Sequence, residues 1–474
     1  MRKILIILFA GMGITSCTEG ITDYNNDPKL PTVVPAETLV ANAEKNLADR
    51  ITVVSGSNLF RLWAQSWAQA TYVDESNYDI IGRDPSQAYW TTYYNNVIND
   101  LNSAITIIEE DELMDPQTKA NQLAVIEVLQ VYVYQHLVDL NGDVPYSEAG
   151  DILNLFPAYD DAETIYLDLI ERISAAQAAL AGGGSSFDTD IFYGGDVSKW
   201  RKLANSVKLR IGMRLADFNP TLAATVVSEA YAGGVFESND DNTVIQYETS
   251  PTVNNNPLYD LFVTQNRGGD YIASETSVNM LVSLDDPRLD NYVDDNLEPY
   301  IGGPIGGNNA YANYTHLNPN IVENATYPGT IMDYAEVAFF LAEAVERGYI
   351  SGSAEEFYNS GIEASILYYD GTPEEVTEYL AQPSVAYATA TGDYKQKIGT
   401  QKWIALFNRG FEAWTEYRRL DWPELVLSAQ SQKEVPLRMI YPVKEVSVNG
   451  ANYNAAASAI GGDDLYTPLF WDVN

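Results

Sequence analysis

The chain contains a single cysteine, Cys17, so no disulfide can close within it to stabilise the fold. Residues 1–3 are short and basic, and residues 4–13 form an apolar run that is too short to cross a bilayer as a helix. Residues 14–17, Ile-Thr-Ser-Cys, then match a lipobox, in which a branched apolar residue and two small residues precede the cysteine. The sequence therefore predicts a signal peptide over residues 1–16 and lipidation of Cys17.

The leader leaves one alternative open. Ile14 departs from the leucine that is commoner at its position, and an ordinary signal peptide that ends near a cysteine would look similar. Residues 17–35 are rich in Asn, Asp and Pro, which predicts a lipidated N-terminus on a flexible tether. No segment after Cys17 is expected to span a membrane. The remainder, 36–474, is therefore predicted to be one soluble domain that several acyl chains anchor stably.

Composition limits the possible partners. The formal net charge is −39, which argues against nucleic acid and against anionic membrane surfaces. Tyrosine is unusually frequent, with 33 Tyr against 14 Phe, and there are 8 Trp. Tyr and Trp combine an apolar face with a polar group, which suits sugar-stacking surfaces and interfaces. Most of these tyrosines also fit half-buried helix faces, so composition leaves both interpretations open.

Helical periodicity dominates two parts of the chain, 36–231 and 331–427, and predicts a mainly α fold. Apolar residues recur there at i, i+3 and i+4 along segments of helical length. The predicted helices cover residues 38–49, 59–71, 87–110, 117–140, 162–180, 198–218, 331–347, 354–369 and 400–419. The pair 331–347 and 354–369 resembles a tetratricopeptide unit, because small and aromatic residues fall where two antiparallel helices would pack.

Two other parts of the chain lack this periodicity. Asn, Asp, Gly, Pro and Tyr accumulate between about 233 and 330, which predicts a loop-rich insertion with one short helix near 274–284. The tail, 435–474, is predicted to be irregular with short extended pieces.

The sequence shows no catalytic constellation. The two histidines, His136 and His316, lie far apart, and His136 falls on an apolar helix face where a core residue is expected. The glycine-rich stretch Gly302–Gly307 lacks the Lys-Ser/Thr of a phosphate-binding loop. The 66 acidic residues leave room for the carboxylate pair of a glycoside hydrolase, but no pair stands out. We therefore predict neither an enzyme nor a cofactor.

One acidic stretch raises the question of calcium, which prefers oxygen ligands. The carboxylates concerned are Asp285, Asp286, Asp290, Asp294, Asp295 and Glu298. They do not fit an EF-hand loop, and a solvated acidic surface is the favoured interpretation. Structural calcium is the alternative, and no metal site is predicted.

Several short motifs follow one another in an order typical of one family. Those of the N-terminal half are Leu62–Gln65 with Thr71–Glu75, Tyr89–Asn102, Gly142–Tyr146 and Trp200–Ser206. Those of the C-terminal half are Asp286–Leu289, Tyr334–Glu343 and Gln401–Arg419. Together with the lipobox, they resemble the SusD/RagB family of outer-membrane nutrient-binding lipoproteins, in its shorter branch.

The resemblance implies tetratricopeptide-like helix pairs that form a right-handed superhelical scaffold under a loop-rich ligand-binding face. It also implies a partner, a SusC-like TonB-dependent outer-membrane barrel that the lipoprotein caps as a lid, with two copies of each in the assembly. The usual cargo in the family is an oligosaccharide. For this chain the resemblance implies glycan uptake at the outer membrane, with the protein lipid-anchored and facing the cell exterior. Peptide binding on the same scaffold and a surface hydrolase are the alternatives.

The resemblance places the ligand on loops, and the matching loops here are 72–90 and 299–327. Tyr387 and Tyr394 are further candidates for ligand contact. The predicted ligand-binding side chains on the two loops are Tyr72, Tyr78, Trp90, Tyr300, Tyr311 and Tyr314. Trp90 also fits the apolar stripe of its helix. By contrast, we expect helix packing and buried ion pairs from Trp200, Arg201, Trp403, Trp414, Arg418 and Arg419.

Overall fold

The structure, a computed structural model, describes residues 34–53, 58–151, 153–249 and 254–473. The predicted signal peptide, Cys17 and nearly all of the tether lie outside the described residues, so their assignments stay predictions. The described chain is mainly helical with short strands, which confirms the predicted fold class.

Helices form most of the regular structure. Their bounds are α1 Ala36–Thr52, α2 Leu59–Trp63, α3 Pro85–Trp90, α4 Asn99–Glu110, α5 Pro116–Asn141, α6 Ala162–Leu180, α7 Val197–Arg214, α8 Pro220–Gly233, α9 Pro257–Tyr259, α10 Glu275–Ser283, α11 Leu289–Tyr292, α12 Pro319–Val322, α13 Tyr334–Glu346, α14 Ala354–Tyr368, α15 Pro373–Leu380, α16 Tyr394–Ala405, α17 Gly410–Leu420, α18 Glu445–Val448 and α19 Gly450–Ala459.

The strands are short and pair antiparallel. Their bounds are β1 Trp67–Gln69, β2 Val144–Pro145, β3 Tyr159–Asp160, β4 Thr243–Ile245, β5 Tyr271–Ala273 and β6 Gly329–Met332. In the described chain β1 pairs with β5, β2 with β3 and β4 with β6. The β1–β5 pair joins the N-terminal helical part to the loop-rich region, and the β4–β6 pair joins the two ends of that region.

Consecutive helices pack closely against each other, most extensively α13 with α14, α5 with α6 and α7 with α8. Gly361 of α14 shows how close the first pair is. A Cβ atom on Gly361 would lie 2.9 Å from the ring of Phe339 in α13, a distance that side chains do not tolerate. This contact and its neighbours confirm the predicted tetratricopeptide-like pairing of helices.

The prediction of one helix over 59–71 is wrong in its second half. Helix α2 ends at Trp63, and the backbone of Gln65 has a positive φ of 58°, which stops a right-handed helix. Residues Trp67–Gln69 then pair with Tyr271–Ala273. The helical spacing of the apolar residues is overridden by a strand partner about 200 residues away, which a local pattern does not reveal.

The long helix predicted over 87–110 is present and begins slightly earlier. Asp84 caps it, since its side chain accepts a hydrogen bond from the Gln87 N–H at 3.2 Å, and Pro85 occupies the first turn. The helix continues through a π-helical segment, Thr91–Ile98, into α4. In the tail, the prediction of irregular structure is wrong over α18 and α19. Gly450–Ala459 is rich in alanine, the best helix former.

Helix α5 corrects one further expectation. By length and composition it is apolar enough to cross a membrane, although no such segment was expected. In the structure, 89% of its most apolar window is buried inside the protein. Helix α5 is therefore the central core helix of the domain.

A network of buried ion pairs ties the scaffold helices together. Arg214 of α7 lies 2.6 Å from Glu412 of α17 and 3.3 Å from Asp139 of α5. Further pairs at 2.5–3.0 Å extend the network through α13, α16 and α17: Arg210–Glu336, Arg409–Glu336, Arg409–Asp333, Lys402–Glu416 and Arg419–Glu343. Such pairs fix the relative positions of helices, because a buried charge without its partner is strongly destabilising.

Candidate ligand-binding face

The β1–β5 pair forms a small platform on which several predicted site residues meet. Ala68 lies opposite Ile272, so both side chains share one face of the pair. Together with Ile305 they form a small buried cluster, against which Tyr311 and Tyr314 pack half-buried. The structure therefore brings two of the predicted aromatic residues together on one surface.

The glycine-rich loop is held against β5 by backbone hydrogen bonds. The Gly303 N–H donates to the Ala273 carbonyl, and the Ala273 N–H donates to the Thr315 carbonyl, both at 2.9 Å. A Cβ atom on Gly303 would lie 2.2 Å from the Cδ1 of Ile272. The loop therefore needs glycine because its backbone lies directly on the platform, and not because it holds a phosphate.

The two predicted ligand loops are in contact with each other. The side-chain amide of Asn309 donates to the carbonyl of Gln69 at 2.7 Å. The amide of Asn77 donates to the carbonyl of Gly306 at 3.1 Å. These amides join β1 and loop 71–84 to the glycine-rich loop, so the two predicted ligand loops meet.

Tyr72 is the most exposed of the predicted site residues, with 63% of its surface accessible. Its φ of +54° turns the chain just after β1. The guanidinium groups of Arg83 and Arg267 lie 5.8 and 6.0 Å from the centre of its ring. Each arginine is held by a carboxylate: Arg83 lies 2.9 Å from Glu75, and Arg267 lies 2.8 Å from Asp270. Tyr72 is thus an exposed ring with two positioned cations close to it.

Tyr311 is fixed by His316. The two rings stack with their centres 3.8 Å apart and an angle of 15° between their planes. The His316 Nε2 also lies 3.2 Å from the Tyr311 carbonyl oxygen. Partial burial raises the pKa of the Tyr311 hydroxyl, which stays protonated at neutral pH. The ring is therefore a rigid, neutral surface element.

Tyr300 lies at the edge of the same face. The Ile301 N–H donates to the Thr315 hydroxyl at 2.8 Å, which places Tyr300 next to the Tyr314 segment. Its own hydroxyl donates to Asp290 at 2.7 Å, and this hydrogen bond to a carboxylate raises the pKa of Tyr300. Tyr72, Tyr300, Tyr311 and Tyr314 therefore all remain candidates for ligand contact.

Tyr78 and Trp90 are buried, which corrects their placement on an accessible loop. Tyr78 is 2% exposed and packs at 6.3 Å from Trp63, because the turn at its positive φ of 61° directs the chain inward. Trp90 is 7% exposed, belongs to α3, and donates its indole N–H to Asn141 at 2.9 Å. Neither ring offers an open face for stacking in this structure. The apolar helix stripe already indicated a core position for Trp90.

The remaining candidates lie away from this face. Tyr387 donates to Glu346 at 2.7 Å, and Tyr394 begins α16 near Arg347. His136 is a core residue as expected: its Nδ1 lies 3.1 Å from the Tyr93 hydroxyl, and burial lowers its pKa. Trp200, Trp403, Trp414, Arg418 and Arg419 are buried, in agreement with the structural role expected for them.

Three residues of interest were not found from the sequence. Arg83 and Arg267 are separated by nearly 200 residues, and only the fold brings them both to Tyr72. Trp422 lines a groove near α16 and is described below. A weak signal did exist for Arg83, since it follows Tyr72 within the same polar loop.

Calcium binding by the acidic stretch 285–298 stays a hypothesis. Within the described ranges, no group of three or more His, Cys, Asp or Glu side chains is arranged to hold a metal ion. Asp286 pairs with Arg288 at 2.6 Å, and Asp290 accepts the hydrogen bond of Tyr300. These two carboxylates are therefore already engaged by protein groups.

The packed helix pairs lie beneath an aromatic face that loops form. This arrangement defines a scaffold-type binding protein, in which the helices hold the loops and the loops contact the ligand. The sequence profile of the SusD-like_2 family, described as starch-binding associating with outer membrane, matches residues 28–442. The chain belongs to this family, and the resemblance given by its motifs is confirmed.

Solved structures agree with this assignment. A chitin-binding protein is 30% identical, with a TM-score of 0.78 over 91% of this chain and 100% of its own. A chitin-binding SusD homolog from Flavobacterium johnsoniae is 25% identical, with a TM-score of 0.79 over 92% and 99% of the two chains. A SusD-like protein of Bacteroidetes shares the fold at 24% identity, with a TM-score of 0.82 over 93% and 100%. No curated protein sequence matches significantly.

Proposed function

We propose that this chain is a cell-surface lipoprotein that binds oligosaccharides and delivers them to a TonB-dependent outer-membrane barrel, which it caps as a lid. The observation that carries the proposal is the gathering of Tyr72, Tyr311 and Tyr314 around the β1–β5 platform. The barrel, the lid role and the lipid anchor rest on the family and on the predicted lipobox.

The chemistry of this face suits a neutral sugar. Aromatic rings stack on the C–H faces of sugars, and side-chain amides and arginines bond their hydroxyl groups. Arg83 and Arg267 are both paired with carboxylates, so they offer hydrogen-bond donors without a large local excess of positive charge. The rings are held by the fold, which lowers the entropy lost on binding.

The relatives point to the same ligand class. The family is described as starch-binding, and two of the similar structures are described as chitin-binding. Starch and chitin are both neutral polysaccharides of hexose units. We therefore infer a neutral oligosaccharide as cargo, with binding and no covalent chemistry.

Titration calorimetry with the purified protein tests the proposal. The probes are an N-acetylglucosamine hexamer and a maltohexaose, and a mixed peptide pool serves as the competing class. Saturable heat with a sugar that Tyr72→Ala and Tyr311→Ala both weaken supports the proposal. Binding of the peptide pool alone would replace it with the peptide alternative, and release of shorter sugars during incubation would show a hydrolase.

A further inference from the structure

A second groove lies away from the Tyr72 face, between α10, α16 and the segment that follows α17. Its volume is about 380 Å³, within the range of about 300–1,000 Å³ that is typical of small-molecule sites. Met280 and Leu284 form an apolar wall, and Gln396 and Thr400 of α16 face them across the groove with Trp422. The groove therefore combines one indole ring with apolar groups, neutral polar groups and the carboxylate of Glu424.

Trp422 differs from every other tryptophan of the chain. The other seven are buried, with at most 7% of their surface exposed, whereas Trp422 is half-buried at the groove. Six of those seven donate their indole N–H to a protein acceptor, at 2.6–3.2 Å. Among the described residues, the indole N–H of Trp422 has no acceptor. A large ring and a donor are thus left available at one place on the surface.

The backbone holds Trp422 in this position. Asp421 ends α17 with a positive φ of 59°, which redirects the chain toward α16. Gly399 of α16 then makes room for the tryptophan, since a Cβ atom on Gly399 would lie 2.8 Å from the Cβ of Trp422. The ring is therefore positioned by close packing of its stem and not by a hydrogen bond.

Of the polar side chains that line the groove, Lys397 and Glu424 are charged and the others are neutral. In the described part of the chain, the Thr400 hydroxyl and the Gln396 side-chain amide take part in no hydrogen bond. The one cation of the lining, Lys397, donates to the Tyr387 carbonyl at 2.8 Å and lies 5.2 Å from the Tyr387 ring. The available groups are thus neutral donors and acceptors together with the exposed Glu424 carboxylate, which accepts hydrogen bonds. This set suits a hydroxyl-rich ligand and disfavours an anionic one.

We propose that this groove is a second oligosaccharide-binding site, in which a sugar ring stacks on Trp422 and bonds to Thr400 and Gln396. The ligand class is that of the proposed function, on which this part of the inference rests. Helix α10 connects the two sites: its cap, Ser274, lies beside the Gly302–Gly303 backbone, and Met280 lines the groove. Ser274 and Met280 are thus roughly 9 Å apart along the helix, and the proposal is that one long glycan engages both sites.

Two linked sites give a measurable consequence. A chain that engages both binds more tightly than one that engages either site alone, because the second contact is intramolecular. Long oligosaccharides should therefore lose affinity when Trp422 is removed, whereas short ones bound at the Tyr72 face should not. We expect a loss of about tenfold or more for the long chain.

Tryptophan fluorescence tests the groove directly, because Trp422 is the one tryptophan that is not buried. Addition of the N-acetylglucosamine hexamer or maltohexaose should shift the emission to the blue and reduce quenching by acrylamide. Trp422→Ala should abolish both changes, and Gly399→Ala should diminish them by displacing the ring. Circular dichroism checks that each variant is folded, and Trp422→Phe keeps a ring if the alanine variant is not.

The double variant Tyr72→Ala, Tyr311→Ala separates this inference from the proposed function. It should lose the calorimetric signal of the first site and keep the fluorescence response of Trp422. Two results would overturn the second site alone. One is a fluorescence response to sugar that survives in Trp422→Ala. The other is acrylamide quenching of the wild-type protein that no sugar changes, although calorimetry shows sugar binding. Absence of sugar binding by both methods would overturn both proposals.

Discussion

Arg419 of α17 holds Glu343 of α13 through two parallel hydrogen bonds of 2.7 and 2.5 Å between fully buried side chains. Burial by itself would raise the pKa of Glu343, but the charges of Arg419 and Arg347 outweigh it and lower that pKa to about 2. Arg347 also pairs with Asp217, which follows α7, at an N–O distance of 2.8 Å. The helix pairs of the scaffold are thus joined by charges as well as by apolar packing.

This pair predicts a dependence of stability on pH. Because the folded pKa of Glu343 is about 2 against an ordinary 4.5, its contribution is fully present above pH 4.5 and is lost as the pH falls toward 2. The shift corresponds to about 3 kcal/mol of unfolding free energy. Urea denaturation at pH 7 and pH 3 measures it. Glu343→Gln should lower stability by about 3–5 kcal/mol at pH 7 and flatten this acid dependence.

The matched control is Glu355→Gln on α14, where the side chain is exposed. It should change stability by less than about 0.5 kcal/mol. Equal losses of unfolding free energy in Glu343→Gln and Glu355→Gln would mean that the Glu343–Arg419 pair contributes no more to stability than an exposed carboxylate does.

Asp472 predicts the opposite behaviour. Burial raises its pKa to about 6, despite the opposing charge of Arg418. Its Oδ2 is buried and has no hydrogen-bond partner within the described ranges. Because the folded pKa of Asp472 is raised, its ionisation above about pH 6 lowers the unfolding free energy. This loss is absent near pH 4, where the carboxyl stays protonated in the folded protein. Asp472→Asn should therefore raise the unfolding free energy at pH 7 by about 1–3 kcal/mol and leave it unchanged at pH 4. Unfolding by urea at the two pH values decides this, and a loss of stability at pH 7 would contradict it.

The aromatic face gives a prediction about binding. Replacement of Tyr72 or Tyr311 by Ala should cost on the order of 1–3 kcal/mol of oligosaccharide binding, because each removes a preorganised ring. Tyr300→Ala and Tyr314→Ala test the edge of the same face. Calorimetry with the bound sugar measures the change. Tyr231→Ala is the control, since this ring is partly exposed on α8, away from the platform. Unchanged affinity in all four site variants would remove this face as the binding site.

The helical scaffold could be predicted from the sequence because its burial follows a local period. Apolar residues at helical spacing marked the stretch Pro116–Asn141 and the pair Tyr334–Glu346 and Ala354–Tyr368 almost to their ends. The strand Trp67–Gln69 was missed for the converse reason. Its partner lies about 200 residues away, and no local pattern encodes that pairing.

The candidate site was only partly predictable. Tyr72, Tyr311 and Tyr314 were singled out because the loops resembled those of a family. Tyr78 was misplaced because the turn that buries it depends on a single left-handed residue. Trp422 was not singled out, because tertiary packing decides which rings are covered.

The predicted lipid anchor gives a prediction about localisation. Cys17 is the only thiol of the chain and follows a predicted leader, so Cys17→Ala should abolish incorporation of a palmitate label and leave the protein outside the membrane fraction. Fractionation of cells that carry the variant measures this. Cys17→Ser serves as a second, nearly isosteric variant. Retention of either variant in the outer membrane would mean that another segment anchors the protein.

The proposed barrel partner predicts a stable complex. A tethered binding protein cannot carry cargo across a membrane by itself, so delivery requires a channel that receives the cargo. The predicted tether over residues 17–35 would let the body move as a lid while a lipidated Cys17 stays in the membrane. Gentle detergent extraction and affinity purification of this chain should recover a TonB-dependent barrel in near-equal amount. The Cys17→Ala variant should recover it less well, because the shared membrane raises the local concentration of the two partners. Recovery of the lipoprotein alone, under conditions that keep other outer-membrane complexes intact, would refute the lid.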